Sequence, residues 1–186
     1  MNGKKESLDA MWDPELYHVN RGGRSTGIFV KHLPAAVDVE LLATLKQTMF
    51  FHNYRSIRLC LHDTPEALFH TMIIVEESGN YCRPHRHQDK GECFHILEGK
   101  LGIISFDNEG IVIDNVTLEA GATLMYQIAT NMYHSVIPLT PSVIYHESKL
   151  GPFRKENDSL FAPWAPDGEN LAECETYVSS LLSGLT

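Results

Sequence analysis

Long apolar runs are missing from this chain. No stretch approaches the roughly 20 residues of a membrane-spanning helix, and the longest aliphatic run, Met72 to Val75, suits a strand. Basic charge is scarce. Fifteen Lys and Arg face 24 Asp and Glu, for a formal net charge of −9. Nucleic-acid and anionic-membrane binders need a basic footprint, so both classes are disfavoured. Cysteine is sparse as well: Cys60, Cys82, Cys93 and Cys174 form no CxxC pair. A chain of 186 residues needs no disulfide framework. The N-terminus, MNGKKESLDAMWD, lacks the apolar segment of a secretory leader. These absences lead us to expect reduced thiols and a cytoplasmic protein.

What is present is an ordinary globular composition, 43% hydrophobic and 21% charged, which excludes wholesale disorder. The length suits one domain with room for a pocket. Residues 1 to about 25 are polar, contain Gly22 and Gly23, and read as loop or a weakly held arm; Thr26 to Lys31 reads as a short strand. Asp38 is a good N-cap for a helix from Val39 to about Phe51, with Val39, Leu42, Leu45 and Met49 on one face. The period then falls to two. Short alternating segments run from Ile57 to Glu147, broken by turn signals such as Asp107-Asn108-Glu109-Gly110. That pattern predicts an all-β sandwich or barrel. A last helix is predicted from Asn170 to Leu182, packing Leu171, Cys174, Val178 and Leu181 on the barrel.

The chemistry lies among the ten histidines. Residues 79–99 read GNYCRPHRHQDKGECFHILEG. On a strand, residues two apart share a face, so His85 and His87 point together. Gln88-Asp89-Lys90-Gly91 turns the chain, and a hairpin brings Glu92 opposite them. Two imidazoles and a carboxylate make half a coordination sphere for a divalent first-row metal. His134, at the start of a later strand, is the best candidate to complete it. Tyr81 and Arg83 share parity with His85 and are expected to line the cavity in catalytic roles. Tyr81 would shuttle a proton, and Arg83 would clamp a carboxylate or phosphate or form a rim salt bridge.

Gly79-x5-His85-x-His87-x4-Glu92-x6-Gly99 matches the first cupin motif throughout. The second motif keeps Gly121 but has Gln127, Ala129 and Pro138 at its other usual positions, and His134 stands two residues late. Arg55 to His62, Arg83 to His87, Glu147 to Phe153 and Ala162 to Pro166 resemble the WbuC-type cupin metalloproteins, in order, over roughly residues 35 to 168. The resemblance implies a mainly β cupin fold, a double-stranded β-helix (jelly-roll) barrel with an N-terminal and a C-terminal helix. It divides the chain into an arm (1–34), a cupin domain (35–168) and a C-terminal helix (169–186). It implies a setting in surface-polysaccharide metabolism of the O-antigen type, and a homodimer.

Three imidazoles and a carboxylate select Fe, Mn, Ni, Co or Zn over Ca or Mg. Three functions stay open. One is isomerase- or epimerase-like polarisation of a carbonyl or enediol in a sugar or sugar nucleotide. Another is Fe(II)-dependent dioxygenase chemistry. The third is a non-catalytic, metal-dependent small-molecule binding module. His95, three residues from Glu92, points to the opposite face. His62, His70 and His146 read as structural, Cys82 and Cys93 as small buried hydrophobes, and Lys149 as a turn cap. Trp164 reads as a loop-packing residue.

Overall fold

The computed structural model describes residues 8–22, 25–33, 35–154, 156 and 158–185. Residues 1–7 of the expected arm, and Gly23 within it, lie outside that set. Two helices flank a β-rich body. In chain order the elements begin with a four-residue helix, α1 (Leu8–Met11), then β1 (Tyr17–Asn20) and β2 (Thr26–Val30). Helix α2 (Val39–Phe51) follows, then β3 (Ser56–Cys60), β4 (Phe69–Glu77) and β5 (His85–Arg86). Next come β6 (Glu92–Glu98), β7 (Lys100–Phe106), β8 (Val112–Glu119) and β9 (Met125–Ile128). The chain ends with β10 (Tyr133–Pro138), β11 (Ser142–Leu150), β12 (Leu160–Phe161) and α3 (Leu171–Leu182).

The strands form two sheets: seven strands in the order β1-β2-β3-β4-β11-β6-β9, and five in the order β12-β5-β10-β7-β8. Only the β2–β3 pairing among these is parallel. Alternation along each strand separates an inner face from an outer one. Met72, Ile74, Phe94, Ile96, Leu101, Ile103, Val136, Val143 and Tyr145 fill the space between the sheets. Their strand neighbours of opposite parity, Ile57, Leu59, Ile73, Val75 and Ile144, face out under α2. Ile104, Phe106, Tyr133 and Ile137 face out beneath α3 and the 162–165 loop. Each sheet is thus apolar on both faces because each outer face carries a helix.

Both helices start where their capping residues say. Asp38 accepts from Leu41 N at 2.8 Å, and Asn170 accepts from Glu173 N at 3.3 Å. The buried face of α2 runs through Leu45, Thr48 and Met49, whereas Val39 is 77% exposed. Helix α3 packs through Cys174, Val178 and Leu181, with Leu171 left in solvent. The N-terminal segment differs from the loop expected of it. Leu8 and Trp12 are buried, Trp12 Nε1 donates to Thr48 Oγ1 at 3.1 Å, and β1 pairs antiparallel with β2. Four-residue elements are too short to leave a periodic signature. Gly99 permits the tight β6–β7 link. Its φ is +82°, and a Cβ there would sit 2.7 Å from Ser142 O.

Candidate metal centre

His85, His87, Glu92 and His134 converge inside one end of the barrel, each offering one ligand atom, all within 4.8 Å of one another. Register explains the convergence. His134 stands directly opposite His85 across β10–β5. Glu92 opens β6 on the inner face, in phase with Phe94 and Ile96. The expected hairpin does not form: the turn at 88–91 carries the chain from β5 in one sheet to β6 in the other, so Glu92 meets the histidines across the two sheets and not along a paired strand. His95 has the opposite parity and pairs with His146 across β6–β11, outside the four-residue group.

The histidines are aimed by backbone carbonyls. Nδ1 of His85 lies 3.0 Å from Arg83 O, Nδ1 of His134 lies 3.1 Å from Met132 O, and Nδ1 of His87 contacts Asp158 O. Carbonyls only accept, so each ring carries its proton on Nδ1 and turns a lone pair at Nε2 toward the cluster. The Nε2 atoms of His87 and His134 sit 2.9 and 2.7 Å from Glu92 oxygens. Both are buried, and in the tautomer set by the carbonyls neither donates to those oxygens, so among the described residues the two lone pairs have no hydrogen-bond partner. Buried polar atoms without partners are rare and costly. A divalent ion is the group that would satisfy two such nitrogens and a carboxylate together. The residues present fit a metal.

Electrostatics agree at His85 and Glu92; at His134 burial opposes the charged ring but Glu92 raises its pKa, so a metal would displace a proton there. Burial, helped by neighbouring His134, pushes the His85 pKa down to about 3, so this ring is the neutral donor a metal requires. Burial opposes the Glu92 charge, yet the Lys149 ammonium beside it holds its pKa well below the usual carboxylate range. His87, Glu92 and His134 are 1–3% exposed; His85 alone is half-buried. Its ring centroid lies 6.1 Å from that of Phe161.

Three side chains of the surroundings were not legible in the motif spacing. Lys149, expected to cap a turn, instead faces Glu92 directly across β11–β6 and donates to its Oε1 at 2.7 Å. Glu147 Oε1 lies 3.1 Å from the same ammonium. Asp158, whose carbonyl orients His87, pairs with the buried Lys90 at 2.5 Å. A cavity of ≈ 180 Å³ lies behind that ion pair, bordered by Lys90, Leu150, Pro152, Arg154 and Asp158. None of the four clustered residues lines it.

Tyr81 and Arg83 stand outside the four-residue group. Parity does not aim them, because residues 81–84 are not strand and β5 holds only His85 and Arg86. The Tyr81 hydroxyl donates to Pro166 O at 2.8 Å, and its ring meets Tyr177 of α3 edge-on. Arg83 donates to Ala162 O at 2.9 Å, and its guanidinium lies 5.4 Å from the Phe161 ring centroid. Its Nε is buried without a partner. Trp164 packs the loop, against Phe106 and Tyr133.

The two-sheet jelly roll and this cluster define a cupin-type barrel with a site that can bind a metal ion. Comparison with one solved structure supports the fold at a TM-score of 0.50. CapF bound to the inhibitor 3-isopropenyl-tropolone is similar at a TM-score of 0.50 and 15% identity, over 68% of this chain and 41% of that one. The capsular polysaccharide assembling protein CapF from Staphylococcus aureus gives 0.49 and 18%, over 57% and 32%. KdgF from Halomonas sp. gives 0.43 and 16%, over 55% and 84%. The chain therefore spans about a third to two-fifths of the CapF chains. A domain of unknown function (DUF6016) matches residues 37–118, under half of the chain. No curated protein matches. Among the described residues, no helix is long and apolar enough to cross a membrane.

Proposed function

We propose that this chain is a mononuclear metal-binding cupin of the WbuC type. Its substrate is a sugar or sugar-nucleotide-like small molecule of surface-polysaccharide metabolism, and its reaction is isomerisation or epimerisation. The observation that carries the reading is the convergence of three imidazoles and one carboxylate, with two buried Nε2 atoms lacking any other partner. The polysaccharide setting rests on the WbuC-type motifs. CapF, a capsular polysaccharide assembling protein, shares the fold.

A divalent transition metal at this site supplies Lewis-acid stabilisation of oxyanion charge on a carbonyl or enediol. The chain's own residues bind and orient. Three backbone carbonyls fix the imidazole tautomers. Phe94 and Ile128, 1% and 2% exposed, form an apolar floor that excludes water. Arg83 and His85 both lie against Phe161, and the unpartnered Arg83 Nε receives a substrate carboxylate or phosphate. In this proposal the chain works as a cytoplasmic homodimer, which sedimentation equilibrium tests.

Elemental analysis of untagged protein purified without air tests the site. Near-stoichiometric zinc, manganese or nickel is expected, followed by turnover in a panel of sugar nucleotides read by NMR. Near-stoichiometric iron with substrate-dependent oxygen uptake would replace isomerisation by oxidation. Protein that takes up no transition metal would overturn the reading.

A further inference from the structure

A buried ammonium beside a metal-ligand carboxylate is an unusual arrangement, since it competes with the ion for the same oxygens. Among the described residues the Lys149 ammonium contacts Glu92 and Glu147, at 2.7 and 3.1 Å; the side-chain exposures of Lys149, Glu92 and Glu147 are 13%, 2% and 12%. Its position is set by register, directly opposite Glu92 on the inner face. Burying three charges is costly unless they compensate one another. Here two carboxylates and one ammonium leave a single negative charge, and the lysine bridges them.

We propose that Lys149 is a positioning residue that holds Oε1 of Glu92, restricting Glu92 to one-oxygen ligation and so keeping a metal position open for a small monoanion. This rests on the metal-binding reading above. The ammonium distinguishes the two oxygens. Oε1 accepts from Lys149 at 2.7 Å and also lies 2.9 Å from His87 Nε2, while Oε2 lies 2.7 Å from His134 Nε2 and is free of the lysine. The charge count names the ligand class. With neutral imidazoles, a divalent ion turns the single negative charge of the Glu92–Lys149–Glu147 group into a single positive one. A carboxylate or enediolate monoanion neutralises it in a site nearly closed to water.

The test uses the full chain loaded with Co²⁺ and titrated with azide, a simple monoanion, with the visible d–d spectrum as readout. The wild type is expected to take up one Co²⁺ and to change spectrum on azide binding. Lys149→Met is expected to keep Co²⁺ but weaken azide tenfold or more, and Lys149→Arg to stay within about threefold of wild type. Azide affinity in Lys149→Met within twofold of wild type overturns the proposal, as does a wild-type Co²⁺ protein blind to azide. A wild type that takes up no Co²⁺ removes the metal-binding reading itself. Should Lys149→Met fail to fold by circular dichroism, Glu147→Gln carries the test with the opposite sign. It leaves the ammonium on Glu92 but removes a negative charge, so azide should bind about threefold tighter; unchanged or weaker binding overturns the proposal.

Discussion

Two clusters of buried histidines sit in this barrel, and they are built differently. His62 and His70 stack face to face, with ring centroids 4.2 Å apart and planes 5° from parallel. Each is anchored by backbone: His62 Nδ1 lies 3.2 Å from both Thr71 O and Thr71 N, and His70 Nε2 lies 3.0 Å from Pro65 O. No carboxylate joins them in a candidate metal group. His85, His87 and His134 also use a ring nitrogen on backbone, but they turn their other nitrogens toward a shared carboxylate. Burial of histidine is therefore common to a structural pair and to a candidate metal centre. What distinguishes them is where the remaining lone pairs point and whether an anion stands among them.

The sharpest way to break the contrast is to remove one nitrogen from each cluster. His87→Ala should abolish stoichiometric metal uptake, measured by elemental analysis, while far-ultraviolet circular dichroism keeps its β signature. Full metal retention would sink the ligand assignment. Next in size is the Lys90–Asp158 ion pair, whose side chains are 6% and 5% exposed. Lys90→Met leaves Asp158 buried without its counter-charge, a change that costs about 3–5 kcal/mol in comparable pairs. Asp158 also orients His87 through its carbonyl, so metal affinity should fall about 10–100-fold as the ring loses its support. Urea melts and calorimetric metal titration separate the two effects.

Much of this contrast was legible in the sequence, for identifiable reasons. The spacing of His85, His87 and Glu92 carries its own geometry, because a short turn sets the end of one strand against the start of the next, here across the two sheets. The helix at Val39–Phe51 declared itself through its cap and period, and β6 through the alternation of Glu92, Phe94 and Ile96. Lys149 did not, because its partnership with Glu92 depends on the register of two strands more than 50 residues apart. Asp158 contributes a backbone oxygen, which leaves no residue-type signal at all. Tyr81 and Arg83 were aimed by strand parity that fails where the strand is only two residues long. His62 and His70 offer no partner spacing of their own, and they stack on each other outside the candidate metal group.

Acid should separate the clusters further, with a smaller effect. Burial, reinforced by neighbouring His70, pushes the His62 pKa down from 6.5 to about 4, and burial lowers His70 as well. A histidine with a depressed folded pKa is held neutral by the fold. Its contribution is complete above pH 6.5 and is lost as pH falls toward 4, because the unfolded chain binds the proton first. For His62 that gap corresponds to on the order of 3 kcal/mol. Urea midpoints measured from pH 7 to pH 4.5 on metal-free protein should therefore fall. His62→Phe, which keeps a ring in the stack but does not titrate, should flatten part of that slope; an unchanged slope would mean that His62 is not held neutral by the fold.

The smallest effect is the one that completes the comparison. If the stacked pair is purely structural, His62→Phe should leave metal affinity at pH 7.5 within about twofold of wild type. The two clusters belong to different parts of the barrel. His62 follows the end of β3 and His70 lies on β4, where it pairs with Lys149 across β11. Lys149 thus stands between the two clusters: its register partner is His70 on one side and Glu92 on the other. A change of metal affinity well beyond twofold in His62→Phe would mean that the stacked rings help set the Lys149 side chain against Glu92. The pair would then be part of the support of the metal centre, and the division between structural and ligating histidines would fail at that strand.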